Sequence, residues 1–116
     1  MPNRTLFHNP RCSKSRQALA LLQKNGVDVE VVEYLKTPLN FDEISALYKA
    51  LDIENAHKMI RPKETEFTLA KLEKSSNDND VLKAIAEYPK LLERPILLVE
   101  DKAVIGRPPE DILTLL

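Results

Sequence analysis

Residues 5–31, TLFHNPRCSKSRQALALLQKNGVDVEV, carry the reading that decides the fold. Thr5 to His8 is a short run with apolar residues, and Asn9-Pro10 closes it as a turn, which predicts a strand. From Ser13 to Lys24, Ala18, Leu19, Leu21 and Leu22 fall on or near one face at helical spacing. Asn25-Gly26 ends that helix, with Gly26 supplying the left-handed position just past its last turn. Val27, Val29 and Val31 then alternate with Asp28 and Glu30, the period of a half-buried strand. A strand, a helix and a strand joined by a crossover of this length predict a βαβ unit with parallel strands.

Working outward, residues 37–90 read as helical. Asn40-Phe41-Asp42-Glu43 has the pattern of a capping box ahead of Ile44, Leu47 and Leu51. Asn55 to Ile60 reads as a short helix stopped by Arg61-Pro62, and Glu64 to Lys74 as another. SSNDND at 75–80 reads as a polar loop, and Val81 to Tyr88 as helix. The C-terminal part returns to strands. Ile96 to Val99 and Ala103 to Ile105 are apolar runs, and Glu100-Asp101-Lys102 joins them as a hairpin turn. Pro108-Pro109-Glu110-Asp111 opens a last helix, with proline early and acids in its first turn. The order is βαβ, helical insertion, ββα: an α/β protein of one domain, with a core of about 1–36 and 91–116 and an insertion of about 37–90.

Composition narrows the function. The chain has 116 residues, 43% hydrophobic and 30% charged, which suits a globular domain with its own core. A formal net charge of −1 gives no electrostatic case for nucleic acid or an anionic membrane surface. No apolar run is long enough to span a bilayer. One cysteine excludes an internal disulfide, a CxxC pair and an all-thiolate zinc site. Two histidines without paired spacing make no case for a bound metal. A reducing cytoplasm is the expected setting, and MPNRTLFHNPRC, which lacks an apolar stretch and a small-residue cleavage site, predicts no leader.

Cys12 follows a strand and precedes a helix, among Arg11, Ser13, Lys14, Ser15 and Arg16. In open α/β sheets, sites lie beyond the carboxyl ends of strands. A helix N-terminus offers unpaired N–H groups and partial positive charge, and both favour a thiolate, as do nearby cations. The same features cradle an oxyanion. The polar surroundings speak against an inert, buried cysteine. Of the arginines, Arg61, Arg94 and Arg107 each directly precede a proline, where chance predicts fewer than one such pair. A residue before proline is held extended, and guanidinium groups suit bidentate capture of oxyanions. Any one pair reads as ordinary turn punctuation; the three together point to an anion site. A phosphatase loop, Cys-x5-Arg, is absent because Ala18 stands where the arginine belongs. His8 either lowers the Cys12 pKa as a nearby charge or hydrogen-bonds within the turn. His57, Glu33, Glu93 and Glu110 read as surface or capping residues.

HNPRCSKSRQAL, LLERPI and IGRPPEDIL, in this order and across nearly the whole chain, resemble the glutaredoxin-coupled arsenate reductases. The resemblance implies a thioredoxin-like fold with an inserted helical region and a cis-proline at Pro95. It implies Cys12 as nucleophile, with His8 and Ser15 in its turn, and Arg61, Arg94 and Arg107 as the anion-binding set. It implies a cytoplasmic monomer that reduces arsenate to arsenite with no tightly bound cofactor, glutathione being the co-substrate and glutaredoxin the protein partner. Two relatives of the scaffold stay open: a glutathione-dependent thiol oxidoreductase without physiological arsenate activity, and a redox-sensing regulator like Spx. Spx proteins mostly carry CxxC, and Ser15 takes the second cysteine's place here.

Overall fold

The computed structural model describes residues 4–116; residues 1–3, at the start of the stretch read for a leader, lie outside the described residues. The chain divides into two compact units. One takes the described residues up to Thr37 together with Arg94–Leu116, and the other is Pro38–Glu93.

The first unit is built on four strands. β1 (Arg4–His8) is followed by α1 (Ser13–Lys24) and β2 (Glu30–Glu33), and β3 (Ile96–Val99) and β4 (Lys102–Ile105) come from the C-terminal segment. The sheet order is β2-β1-β3-β4. β1 runs parallel to β2, with Leu6 opposite Val31 and His8 opposite Glu33. It runs antiparallel to β3, and β3 to β4. This is the thioredoxin-like core. Fully buried Leu6, Ala18, Leu22, Leu97 and Ile112 form its centre, drawn from β1, α1, β3 and a closing 3₁₀ helix over Pro109–Leu115. Each such leucine contributes about 1.5–3 kcal/mol by leaving water. α1 ends in paired backbone bonds, Gly26 N–H to Gln23 O at 3.1 Å and Val27 N–H to Leu22 O at 3.0 Å, with Gly26 at φ +66°. The Arg94–Pro95 and Arg107–Pro108 peptide bonds are both cis; the resemblance implied the first, and nothing in the sequence pointed to the second.

The second unit is helical: α2 (Phe41–Leu51), a 3₁₀ turn over Ala56–Met59, α3 (Thr65–Leu69), α4 (Asp78–Glu87) and a 3₁₀ turn over Pro89–Leu91. The Asn40–Glu43 capping box forms, with reciprocal bonds of 2.8 and 3.0 Å. α2 packs against α4, burying Ile44, Leu47 and Leu51 of one and Val81, Leu82, Ala84 and Ile85 of the other. Asp78 joins three segments, accepting the Ala56 N–H at 3.0 Å and the Tyr48 hydroxyl at 2.9 Å.

Several boundaries differ from the sequence reading. The Glu64–Lys74 helix stops at Leu69, because Lys71 turns left-handed at φ 59° and Leu72 folds back to donate to Phe67 O at 3.1 Å and bury its side chain. The polar 75–80 loop gives up Asp78–Asp80 to α4, since the Asn77 side chain caps that helix by accepting the Asp80 N–H at 2.8 Å. β2 begins at Glu30, so Val27 and Val29 pack on the core from outside the sheet ladder. The hairpin turn is Glu100-Asp101, and Lys102 already pairs with Val99. The last helix is 3₁₀ in type. His57 is half-buried, its Nε2 donating to the Ser76 carbonyl at 2.7 Å.

Candidate active site

The β1–α1 turn is set by short-range hydrogen bonds. Asn9 is nearly buried and directs three of them. Its side-chain oxygen accepts the Arg11 N–H at 3.0 Å, its carbonyl accepts the Cys12 N–H at 3.0 Å, and its own N–H donates to Ser15 Oγ at 3.0 Å. Ser15 is fully buried and shares a 2.6 Å hydrogen bond with His8 Nδ1. In sequence, Asn9-Pro10 signals a strand-ending turn. An asparagine bonding the backbone two residues on is the Asx pattern, and that signal was available.

Cys12 occupies the N-cap position of α1, half-exposed, with its carbonyl accepting the first helical bond from Arg16 N–H at 3.0 Å. No Ser, Thr, Asn or Asp caps this helix, and its first turn holds no acid. The orphan N–H groups and the positive end of the helix dipole are therefore left for the sulfur. Burial pushes the Cys12 thiol up. The Ser15 N–H, the Arg94 side chain, the Lys14 N–H and the Arg94 charge together outweigh it, so the pKa lies below the ordinary thiol value. Arg107 adds a second guanidinium, its Nη2 3.7 Å from Sγ. Arg107 Nε donates to the Arg94 carbonyl at 2.9 Å, which ties the two arginines together.

His8 shares the turn with Ser15. Its ring is bonded within the turn, and its pKa is lowered, chiefly by burial and further by Arg16, with Glu33 on the neighbouring strand opposing. The bond to Ser15 orders the turn, and the lowered pKa favours the neutral ring. Thus Cys12, His8, Ser15, Arg94 and Arg107 meet around one turn of the first unit. Arg61 belongs to the helical unit, where Nε lies 3.4 Å from Glu64 and Nη1 3.8 Å from Glu93. Glu93, read as a surface or capping residue, is half-buried and pairs with that arginine. Among the described residues, no group of three His, Cys, Asp or Glu side chains is placed to hold a metal ion. Among the described residues, no helix is long and apolar enough to cross a membrane.

The profile of the ArsC family matches residues 7–115. The chain belongs to the ArsC family. Within it, the chain is 47% identical over 113 residues to a protein of Neisseria meningitidis serogroup A named arsenate reductase, covering 97% of each. It is 45% identical over 109 residues to the Escherichia coli (strain K12) protein YfgD, whose name records no characterised function, covering 93% of this chain and 92% of that one. Among solved structures, an arsenate reductase from Vibrio cholerae superposes with a TM-score of 0.92 at 39% identity, covering 97% of each chain. The ArsC match takes in the Cys12 turn and the Arg94 and Arg107 segments in one span.

Proposed function

We propose that this ArsC protein reduces arsenate to arsenite, with glutathione and glutaredoxin supplying the electrons. The observation that carries the reading is the convergence of two arginine side chains on a cysteine whose thiol is already held below its ordinary range. The names of its relatives support the same substrate. The Cys12 thiolate attacks arsenic and forms an S–As bond, while one arsenic-bound oxygen takes up protons and leaves as water. Arg94 and Arg107 neutralise the oxyanion as it reacts. Arg61 is assigned to the same anion set on the resemblance of its Arg-Pro step. Glutathione then replaces a second oxygen, again lost as water, and forms a second S–As bond. A glutaredoxin thiolate attacks the glutathione sulfur. The electron pair of that S–As bond passes to arsenic, reducing it from As(V) to As(III), and a glutathione–glutaredoxin disulfide forms. Water releases arsenite and returns Cys12. With one cysteine in the chain, the second and third thiols come from outside, which suits a reducing cytoplasm.

The test is NADPH oxidation on adding arsenate, coupled through glutathione reductase, glutathione and glutaredoxin. Turnover that needs arsenate, glutaredoxin and Cys12, and is lost in Cys12→Ser, is the expected result. A Cys12 that alkylates quickly at neutral pH but supports no arsenate-dependent turnover would move the function to another thiol substrate.

A further inference from the structure

We propose that Gly106 is a positioning residue for the oxyanion arginines: its missing side chain lets the end of β4 close on Pro95, and that contact fixes Arg94 and Arg107 at one spacing around Cys12. The inference rests on the reading that these two arginines take an oxyanion. Gly106 immediately precedes Arg107, as Arg94 immediately precedes Pro95. A Cβ on Gly106 would lie 2.8 Å from Pro95 Cγ and 2.9 Å from Ile112 Cγ2. Both separations are shorter than carbon atoms tolerate, and neither neighbour can swing away. Pro95 is a buried ring closed onto its own backbone, and Ile112 is fully buried in the core cluster. The close approach is also fastened, since the Gly106 N–H donates to the Pro95 carbonyl at 2.8 Å.

The two arginines hang from the two sides of this contact. Arg107 Nε is anchored on the Arg94 carbonyl, one residue before Pro95, at 2.9 Å, and its Nη2 reaches Cys12 Sγ at 3.7 Å. A methyl group at position 106 therefore displaces the anchor of Arg107 and the root of Arg94 together. The Cys12 turn is held by Asn9 and Ser15 through bonds of its own and is left in place. Losing the spacing of the arginines while keeping the nucleophile separates a positioning role from simple packing.

The experiment is protection of Cys12 from iodoacetamide by arsenate at fixed pH, in wild type, Gly106→Ala and Ile112→Val. The last loosens the same core without adding an atom at position 106. In Gly106→Ala the half-protecting arsenate concentration should rise about tenfold or more, the scale of effect a small misplacement produces, while the unprotected thiol still alkylates. Ile112→Val should melt earlier and keep the wild-type half-protection. Equal half-protection in wild type and Gly106→Ala overturns the proposal, and so does an equal rise in Ile112→Val. No protection in wild type overturns instead the oxyanion reading on which it rests. Should Gly106→Ala fail to fold, Gly106→Ala/Ile112→Ala removes one of the two obstructions and leaves Pro95; the same rise is expected there, and its absence overturns the proposal.

Discussion

At the scale of single residues, the candidate site is a cysteine placed where a cap would be. Ordinary N-caps offer an oxygen to the first helical N–H groups, and here Cys12 offers sulfur. Removing Asn9 should loosen that placement. Asn9→Ala loses the side-chain bond to Arg11 N–H, at a cost of about 1 kcal/mol, and its alkylation rate should reach half-maximum at a higher pH than wild type. An unchanged pH profile would make Asn9 a bystander. His8 gives a separate test by pH. Its folded pKa is lowered from 6.5, so the unfolded chain takes the extra proton first. Stability from this source is whole above the unfolded value and falls as pH drops through it. Thermal melts between about pH 7 and pH 5 should show a shallower loss in His8→Gln than in wild type; equal slopes would contradict the burial of a neutral ring. Cys12 stood out in sequence because its neighbours are polar and cationic. Gly106 did not, because what makes it a glycine is contact with Pro95 and Ile112, and only the folded chain brings them together.

At the scale of elements, α1 carries the site at its N-terminus and is closed at the other end by Gly26. Nothing lies within 4 Å of a Cβ built there, so the cost of a side chain is backbone conformation alone. Gly26→Ala should lower stability by about 1 kcal/mol, read by denaturant unfolding, with the Cys12 alkylation rate unchanged. A loss of reactivity would mean that the two ends of α1 are coupled. In the helical unit, Asp78→Ala removes the acceptor for Ala56 N–H and the Tyr48 hydroxyl together, and should cost about 1–3 kcal/mol. A neutral result would show that solvent replaces both bonds. Elements were legible where the signal is local. The Asn40 box and the Asn25-Gly26 stop formed as read. The end of α3 was missed because a lysine, at position 71, takes the left-handed place that glycine usually marks. The start of α4 was missed because Asp78–Asp80 look like loop residues until Asn77 caps them.

At the scale of the whole molecule, the thioredoxin-like core follows from the βαβ opening and the closing hairpin, both of which carry strong local patterns. The Arg-Pro steps marked Arg94 and Arg107 in the sequence as anion-site candidates, but their meeting with Cys12 is not a local signal, because a β3–β4 hairpin far along the chain brings the arginines to it. Arg94→Ala and Arg107→Ala should each lower kcat/KM for arsenate by about 10²-fold, the usual loss on removing one oxyanion donor, and unchanged kinetics in both would return the Arg-Pro pairs to turn punctuation. The turn and the arginines hold the Cys12 thiol below its ordinary pKa. With one cysteine in the chain, the ultraviolet absorbance of the thiolate, taken as the difference from Cys12→Ser to remove the tyrosines, reports that residue, so its titration tests this without a substrate. Half-ionisation is expected below the ordinary thiol range, moving upward in Arg94→Ala. Half-ionisation at or above the ordinary range, unmoved by that substitution, would contradict it.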